Sequence, residues 1–172
     1  MRLVSPSSEY QTKFARFFRD FERYDPDNAD YYRRGVTDFK RYIQNLSNEE
    51  QGINLPKGYA PCSHFWMIAD SGDMIGAIRV RHILHNEFLQ TECGHIGYDI
   101  APSYRSQGHG THMLHLVLAK ALQLGIETAL VTADDDNYAS RKVIENNGGV
   151  LDDIVYGKVF ERPIARYWVS CV

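Results

Sequence analysis

Residues 105–110 read RSQGHG, two glycines flanking one histidine, set between the apolar run GYDI (97–100) and a helical pattern from Gly110 to Leu124. Where a strand hands over to a helix, several unpaired backbone N–H groups and the positive end of the helix dipole point into one small volume. Gly108 and Gly110 carry no Cβ to hold an anion away from those amides, and they permit the backbone to form a concave nest. The expected guest is a phosphate. A Walker loop would read GxxxxGK[ST], and no such string occurs. A dinucleotide fingerprint would need a third glycine where Met113 stands, and no early βαβ unit leads into the stretch.

Outward from the glycines the chain reads as alternating elements. Downstream, Gly125 is a natural C-cap, IETALVTA (126–133) is a strand of the buried kind, and Asn137 opens a short helix carrying Val143 and Ile144 that NNGG (146–149) stops. VLDDIVYG (150–157) and ARYWVSCV (165–172) read as closing strands. Upstream, FWMIAD (65–70), the turn SGD and MIGAIRVRHIL (74–84) form a hairpin; alternation puts Ile78, Val80, His82 and Leu84 on one face and Arg79 with Arg81 on the other. In GHIGYDI (94–100), Ile96, Tyr98 and Ile100 share a face opposite His95 and Asp99. Nearer the start, Tyr10, Phe14, Phe17, Phe18 and Phe21 form an amphipathic stripe behind Ser8 and Gln11, which have capping-box spacing. After the breaker YDPDN, Val36, Phe39, Ile43 and Leu46 predict a second helix, and residues 47–63 a surface loop long enough to cover a site. Strands first, then strand, helix, strand, helix, strand, predict an α/β fold with a mixed sheet.

Size and charge bound the function. At 172 residues the chain fits a single domain spanning 1–172, and 19 basic against 22 acidic residues give −3, no footprint for nucleic acid or an anionic membrane. No apolar run approaches a membrane span, and the first twenty residues are too charged for a secretory signal, so the expected compartment is the cytoplasm. Cys62, Cys93 and Cys171 are odd in number and lack CxxC spacing, and His109, His112 and His115 lack an i, i+4 pair; no metal site is expected.

The string Arg105, Gly108, Gly110 matches in register the R/Q-x-x-G-x-G/A signature of the Gcn5-related N-acetyltransferases (GNAT). The resemblance continues upstream in YDIAPSYR, with Ile100 and Pro102 in place, and downstream in Asn137, Ser140, Val143 and Gly148, which resemble the family's second CoA-contacting helix. It implies a single-domain, mostly antiparallel mixed sheet flanked by helices and splayed at a wedge that takes acetyl-CoA. By the same resemblance, main-chain atoms of Tyr98 and Ile100 bind the pantetheine amides as a substitute strand. N–H groups of Arg105, Ser106, Gln107, Gly108, His109, Gly110 and Thr111 hold the pyrophosphate, and Asn137 and Ser140 contact the cofactor from the second helix.

The implied activity is direct transfer of acetyl from the CoA thioester to an amine, on a small molecule or a peptide, with a homodimer as a compatible assembly. An amine attacks only when unprotonated, so a base is needed; His95 and Glu92 stand where relatives place one, with His82 and His85 also near. The family's usual tyrosine acid falls on Ile144, leaving Tyr138, Tyr98 or Tyr156 as replacements, with Tyr138 one turn away. That departure keeps open an alternative, a sensing module that holds acetyl-CoA without turnover. For the acceptor, Arg79, Arg81, His82 and His85 suit a carboxylate or phosphate, whereas Asp134, Asp135, Asp136, Asp152 and Asp153 suit a polyamine, aminoglycoside or lysine.

Overall fold

The computed structural model describes residues 1–172. It contains β1 (Arg2–Val4), α1 (Gln11–Tyr24), α2 (Pro26–Ala29), α3 (Arg33–Thr37), α4 (Phe39–Gln51), β2 (Cys62–Ile68), β3 (Met74–Arg81), β4 (Ile96–Ile100), α5 (His109–Gln123), β5 (Thr128–Asp134), α6 (Tyr138–Glu145), β6 (Val150–Tyr156) and β7 (Pro163–Ser170). The strands form one seven-stranded sheet in the order β1-β2-β3-β4-β5-β7-β6. Every neighbouring pair is antiparallel except β4 with β5. This is the mixed, mostly antiparallel α/β sheet that the sequence pattern predicts, with β7 slotted between β5 and β6.

Two cores sandwich the sheet. On one side α5 and α6 bury Met113, Leu114, Val117 and Ile144 against Ile78, Val80 and Ile96. On the other, the stripe of α1 builds an aromatic core, with Phe14 centred 5.3 Å from Trp66 and 5.5 Å from Phe39, and Phe17 4.9 Å from Tyr32. Such ring contacts add to the area burial that drives the packing. Gly35 in α3 is needed for this approach, since a Cβ there would stand 2.4 Å from Phe14 Cε1. No helix is long and apolar enough to cross a membrane.

Local details depart from the sequence reading where hydrogen-bonding chemistry intervenes. The expected Ser8–Gln11 capping box does not form: α1 is entered through a 3₁₀ turn over Ser8–Tyr10, so Gln11 N–H bonds Ser8 O and no side chain caps the helix. Val36 lies exposed in α3, because Asp38 starts α4 anew by accepting the Arg41 N–H at 3.0 Å. The loop is shorter than 47–63, since α4 runs to Gln51, ends at Gly52 in the left-handed region, and β2 begins at Cys62. Strand β3 stops at Arg81, so His82 and Leu84 do not share its buried face; His82 N–H turns to Pro61 O at 2.8 Å.

Candidate active site

Strands β4 and β5 share a single residue pair, Ile96 with Val131, and diverge beyond it. In the antiparallel ladder with β3, Arg81 N–H bonds His95 O and Ala101 N–H bonds Ile75 O. Alternation therefore spends the main-chain groups of Gly97 and Asp99 on β3 and turns those of Tyr98 and Ile100 into the gap. The closed end of the gap is locked by His95, whose N–H bonds Leu130 O at 2.7 Å while its Nδ1 accepts the Leu130 N–H at 2.9 Å. Burial, and secondarily the charge of Arg81, lowers the His95 pKa, consistent with a ring that accepts rather than carries a proton.

At the open end stands the RSQGHG turn. Ser106 and Gly108 have φ of 59° and 80°, a left-handed alternation that curls successive amides toward one side. None of the six N–H groups from Ser106 to Thr111 bonds an acceptor in the chain; the first returning bond is His112 N–H to Gly108 O. The two glycines differ in what they permit. Gly108 faces open space and is needed for its φ, whereas a Cβ on Gly110 would meet Val143 Cγ2 at 3.1 Å, so Gly110 lets α5 pack on α6. Arg105 is a tether: its Nε bonds Ile100 O at 3.0 Å, its Nη2 bonds Asp25 at 2.5 Å, and its guanidinium lies over the Phe21 ring. Gln107 Nε2 bonds Ser103 O, and His109 lies beside the Tyr104 ring.

From α6, Asn137 caps the helix by accepting the Ser140 N–H at 3.0 Å. Tyr98 reaches across the gap to Ser140, hydroxyl to hydroxyl at 2.8 Å; burial first, and Asp99 after it, push its pKa up to about 12. Ile144 is fully buried in the core. Tyr138 is 75% exposed, and Tyr156 is turned away, its hydroxyl bonding Glu161 O. Glu92, from a single π-helical turn over Leu89–Cys93, is buried and spends its oxygens on the N–H groups of Val159 and Phe160, where it anchors the loop before β7. Glu92 and His95, the two side chains read as bases, thus both serve as fold contacts in the structure. His82 pairs with Ser63 at 2.9 Å.

A cleft of about 1160 Å³ runs from this gap to the opposite face of the sheet, under Tyr32 and α4. Its floor holds side chains from three strands: His64 of β2, Arg79 and Arg81 of β3, Asp99 of β4. Asp99 Oδ2 accepts the Tyr32 hydroxyl at 2.6 Å and lies 3.5 Å from Arg79 Nη1. His64 bonds Glu49 at 2.7 Å; burial opposes its charge, but hydrogen bonds to Cys62 and Glu49 win and raise its pKa to about 9. Asp99 and Tyr32 carry no sequence motif, and the only available signal was the alternation that sets Asp99 opposite Tyr98 on β4. Most of the acidic cluster is paired: Asp134 with Arg162, Asp135 with Arg141, and Asp152 and Asp153 with the one Arg166, while Asp136 has no arginine partner.

The acetyltransferase (GNAT) domain profile matches residues 3–150. No curated protein sequence matches the chain. Among solved structures, RimJ of Mycobacterium smegmatis in complex with CoA-disulfide superposes with a TM-score of 0.70 at 16% identity, covering 98% of this chain and 80% of that one. The microcin C7 self-immunity acetyltransferase MccE, in complex with acetyl-CoA and AMP, gives 0.67 at 12% identity, covering 98% and 91%. A spermidine N-acetyltransferase SpeG variant from Vibrio cholerae gives 0.58 at 10%, covering 99% and 95%. At these identities the likeness is one of fold. The neighbours are acetyltransferases, and a binding module without turnover finds no support among them.

Proposed function

The chain belongs to the acetyltransferase (GNAT) family, and on that premise we propose that it transfers acetyl from acetyl-CoA to the amine of an acceptor held on the far face of the sheet. The observation that carries this reading is the row of six unpaired amides, Ser106 to Thr111, beside a sheet opened to one residue pair. Unpaired donors at a helix entrance suit a pyrophosphate, and the main-chain groups of Tyr98 and the N–H of Ile100, whose carbonyl Arg105 holds, suit pantetheine amides. Arg105 contributes by fixing the turn through Ile100 and Asp25, and Asn137 and Ser140 border the thiol end.

Acetyl-CoA, when bound, supplies an activated acetyl: the acceptor nitrogen forms the C–N bond as the C–S bond breaks and sulfur leaves with the bonding pair. On the chain's side, Asp99 is the residue best placed to hold the acceptor ammonium and to take the proton whose loss frees the nitrogen lone pair for attack, since it borders the gap and faces the cleft. The second proton, released as the C–N bond forms, balances the one the sulfur takes up. Tyr32 holds the carboxylate in place. Glu92 and His95 are less suited, because their acceptor atoms already bind backbone N–H groups. The Tyr98–Ser140 hydroxyl pair is a proton source for the leaving sulfur, in a role that neither the buried Ile144 nor the exposed Tyr138 fills.

Three free thiols suit a reducing compartment such as the cytoplasm. Val150, Ile154 and Tyr156 on the sheet's edge strand and Trp168 beside it are exposed, which supports a homodimer that light scattering in solution tests. The function is tested by calorimetric titration with acetyl-CoA, followed by release of CoA thiol over a panel of amines. Saturable binding with amine-dependent release is expected; binding without release for any amine would contradict it.

A further inference from the structure

We propose that the acceptor is a zwitterion, a primary amine carrying a carboxylate or phosphate a few bonds away, whose anionic group is gripped by Arg79 while its amine sits on Asp99. This rests on the acetyl-transfer reading above and specifies its acceptor.

Arg79 is the feature that sets this cleft apart. Its guanidinium lies flat against the β4 backbone, with Nε and Nη2 about 3.0 Å from where a Cβ on residue 97 would be, so Gly97 makes the space that holds it. It bonds no acceptor in the chain, and its nearest acid oxygen, Asp99 Oδ2 at 3.5 Å, is outside hydrogen-bond geometry and already engaged by Tyr32. Of the other two arginines lining the cleft, Arg81 spends Nη1 on the carbonyls of Cys93 and Gly94, and Arg34 stands exposed at the rim in α3. Arg33, Arg141, Arg162 and Arg166 differ from Arg79 in that each hydrogen-bonds an aspartate. The donors of Arg79 face the cleft and are open to solvent or a ligand, and its planar fork fits a carboxylate or phosphate.

The spacing favours a compact ligand. Arg79 pairs with Gly97 in register, two residues before Asp99 on β4, and the two side chains lean together until Arg79 Nη1 lies 3.5 Å from Asp99 Oδ2. An amine on Asp99 thus places an anion a few bonds away within reach of Arg79. The geometry weakens the cationic alternative, since four of the five aspartates that would attract a polyamine are paired with Arg141, Arg162 and Arg166, and Asp136 alone lacks an arginine.

The test compares matched acceptors with acetyl-CoA at saturation: 2-aminoethyl phosphate against ethanolamine, γ-aminobutyrate against butylamine, and spermidine alone. The anionic member of each pair is expected to be preferred in kcat/KM by about 10- to 100-fold, the worth of charge-assisted hydrogen bonds. Arg79→Gln should collapse that ratio through KM, and Arg79→Lys should restore part of it. Acetyl-CoA affinity, measured on each variant, reports that the protein is folded. Equal use of both members of each pair, preference for spermidine, or an Arg79→Gln ratio unchanged from the parent would overturn the proposal while leaving acetyl transfer standing. Failure of the parent protein to bind acetyl-CoA would strike the underlying reading instead.

Discussion

On the function proposed above, the two faces of the opened sheet bind by different chemistry. On the α5–α6 side, the cofactor surface is main chain: six amides from Ser106 to Thr111 and the strand edge at Tyr98 and Ile100. On the α1–α4 side, the acceptor surface is side chain: Tyr32, Arg79 and Asp99, drawn from a loop and two strands. A main-chain site tolerates substitution of its side chains and demands a particular backbone path. A side-chain site is set residue by residue and can differ between proteins that share the path.

That contrast can be broken by substitution. The largest effect is expected on the acceptor side: Asp99→Asn should lower turnover about 10²- to 10⁴-fold in a thiol-release assay while acetyl-CoA affinity stays within twofold (roughly, by the general-base range). A variant with full turnover would remove Asp99 from the chemistry. On the cofactor side, Gly110→Val forces methyl groups into Val143, where even a Cβ is 3.1 Å away. Overpacking of about 1–3 kcal/mol should displace the α5 entrance and weaken acetyl-CoA binding about 10- to 100-fold by calorimetry. By contrast, Gln107→Ala and His109→Ala change side chains and leave the amides, so affinity should move little. Tyr98→Phe sharpens the boundary between the faces: a thiolate leaves with little help, so a loss of only about tenfold in kcat is expected, with no change in acceptor KM.

The smallest effect concerns the acceptor floor and pH. His64 is raised from 6.5 to about 9 in the fold, so its contribution to stability is complete below pH 6.5 and is lost as pH rises through about 9. Denaturant midpoints should fall over that window, and Glu49→Gln should flatten the decline. A decline of the same size in Glu49→Gln would show that the pair is not its source.

The same contrast explains what could be read from the chain. RSQGHG, the strand–helix order and the aromatic stripe of α1 are local patterns of backbone geometry and burial, and they predict the mixed sheet and its phosphate turn. The reason for Gly110 was not legible, because its neighbour Val143 lies on another helix. Nor was the tethering of Arg105, whose partners are Ile100 and Asp25. Glu92 and His95 have the residue types a base requires, and only the hydrogen bonds to Val159, Phe160 and Leu130 reveal their work as anchors. Asp99 was visible as a position on a strand face, but its meeting with Tyr32, 67 residues away, is a product of the fold.

Coenzyme A binding by main-chain amides that clasp its diphosphate at the α5 entrance underlies both faces of this reading. It is tested most directly by following backbone amide resonances in ¹⁵N-labelled protein as CoA is added. Large, saturating shifts are expected for Ser106 through Thr111, with the Arg79 guanidinium Nε–H responding only when an acceptor amine follows. Saturation with CoA that left those six amides unmoved, or moved the Arg79 guanidinium signal in their place, would contradict it.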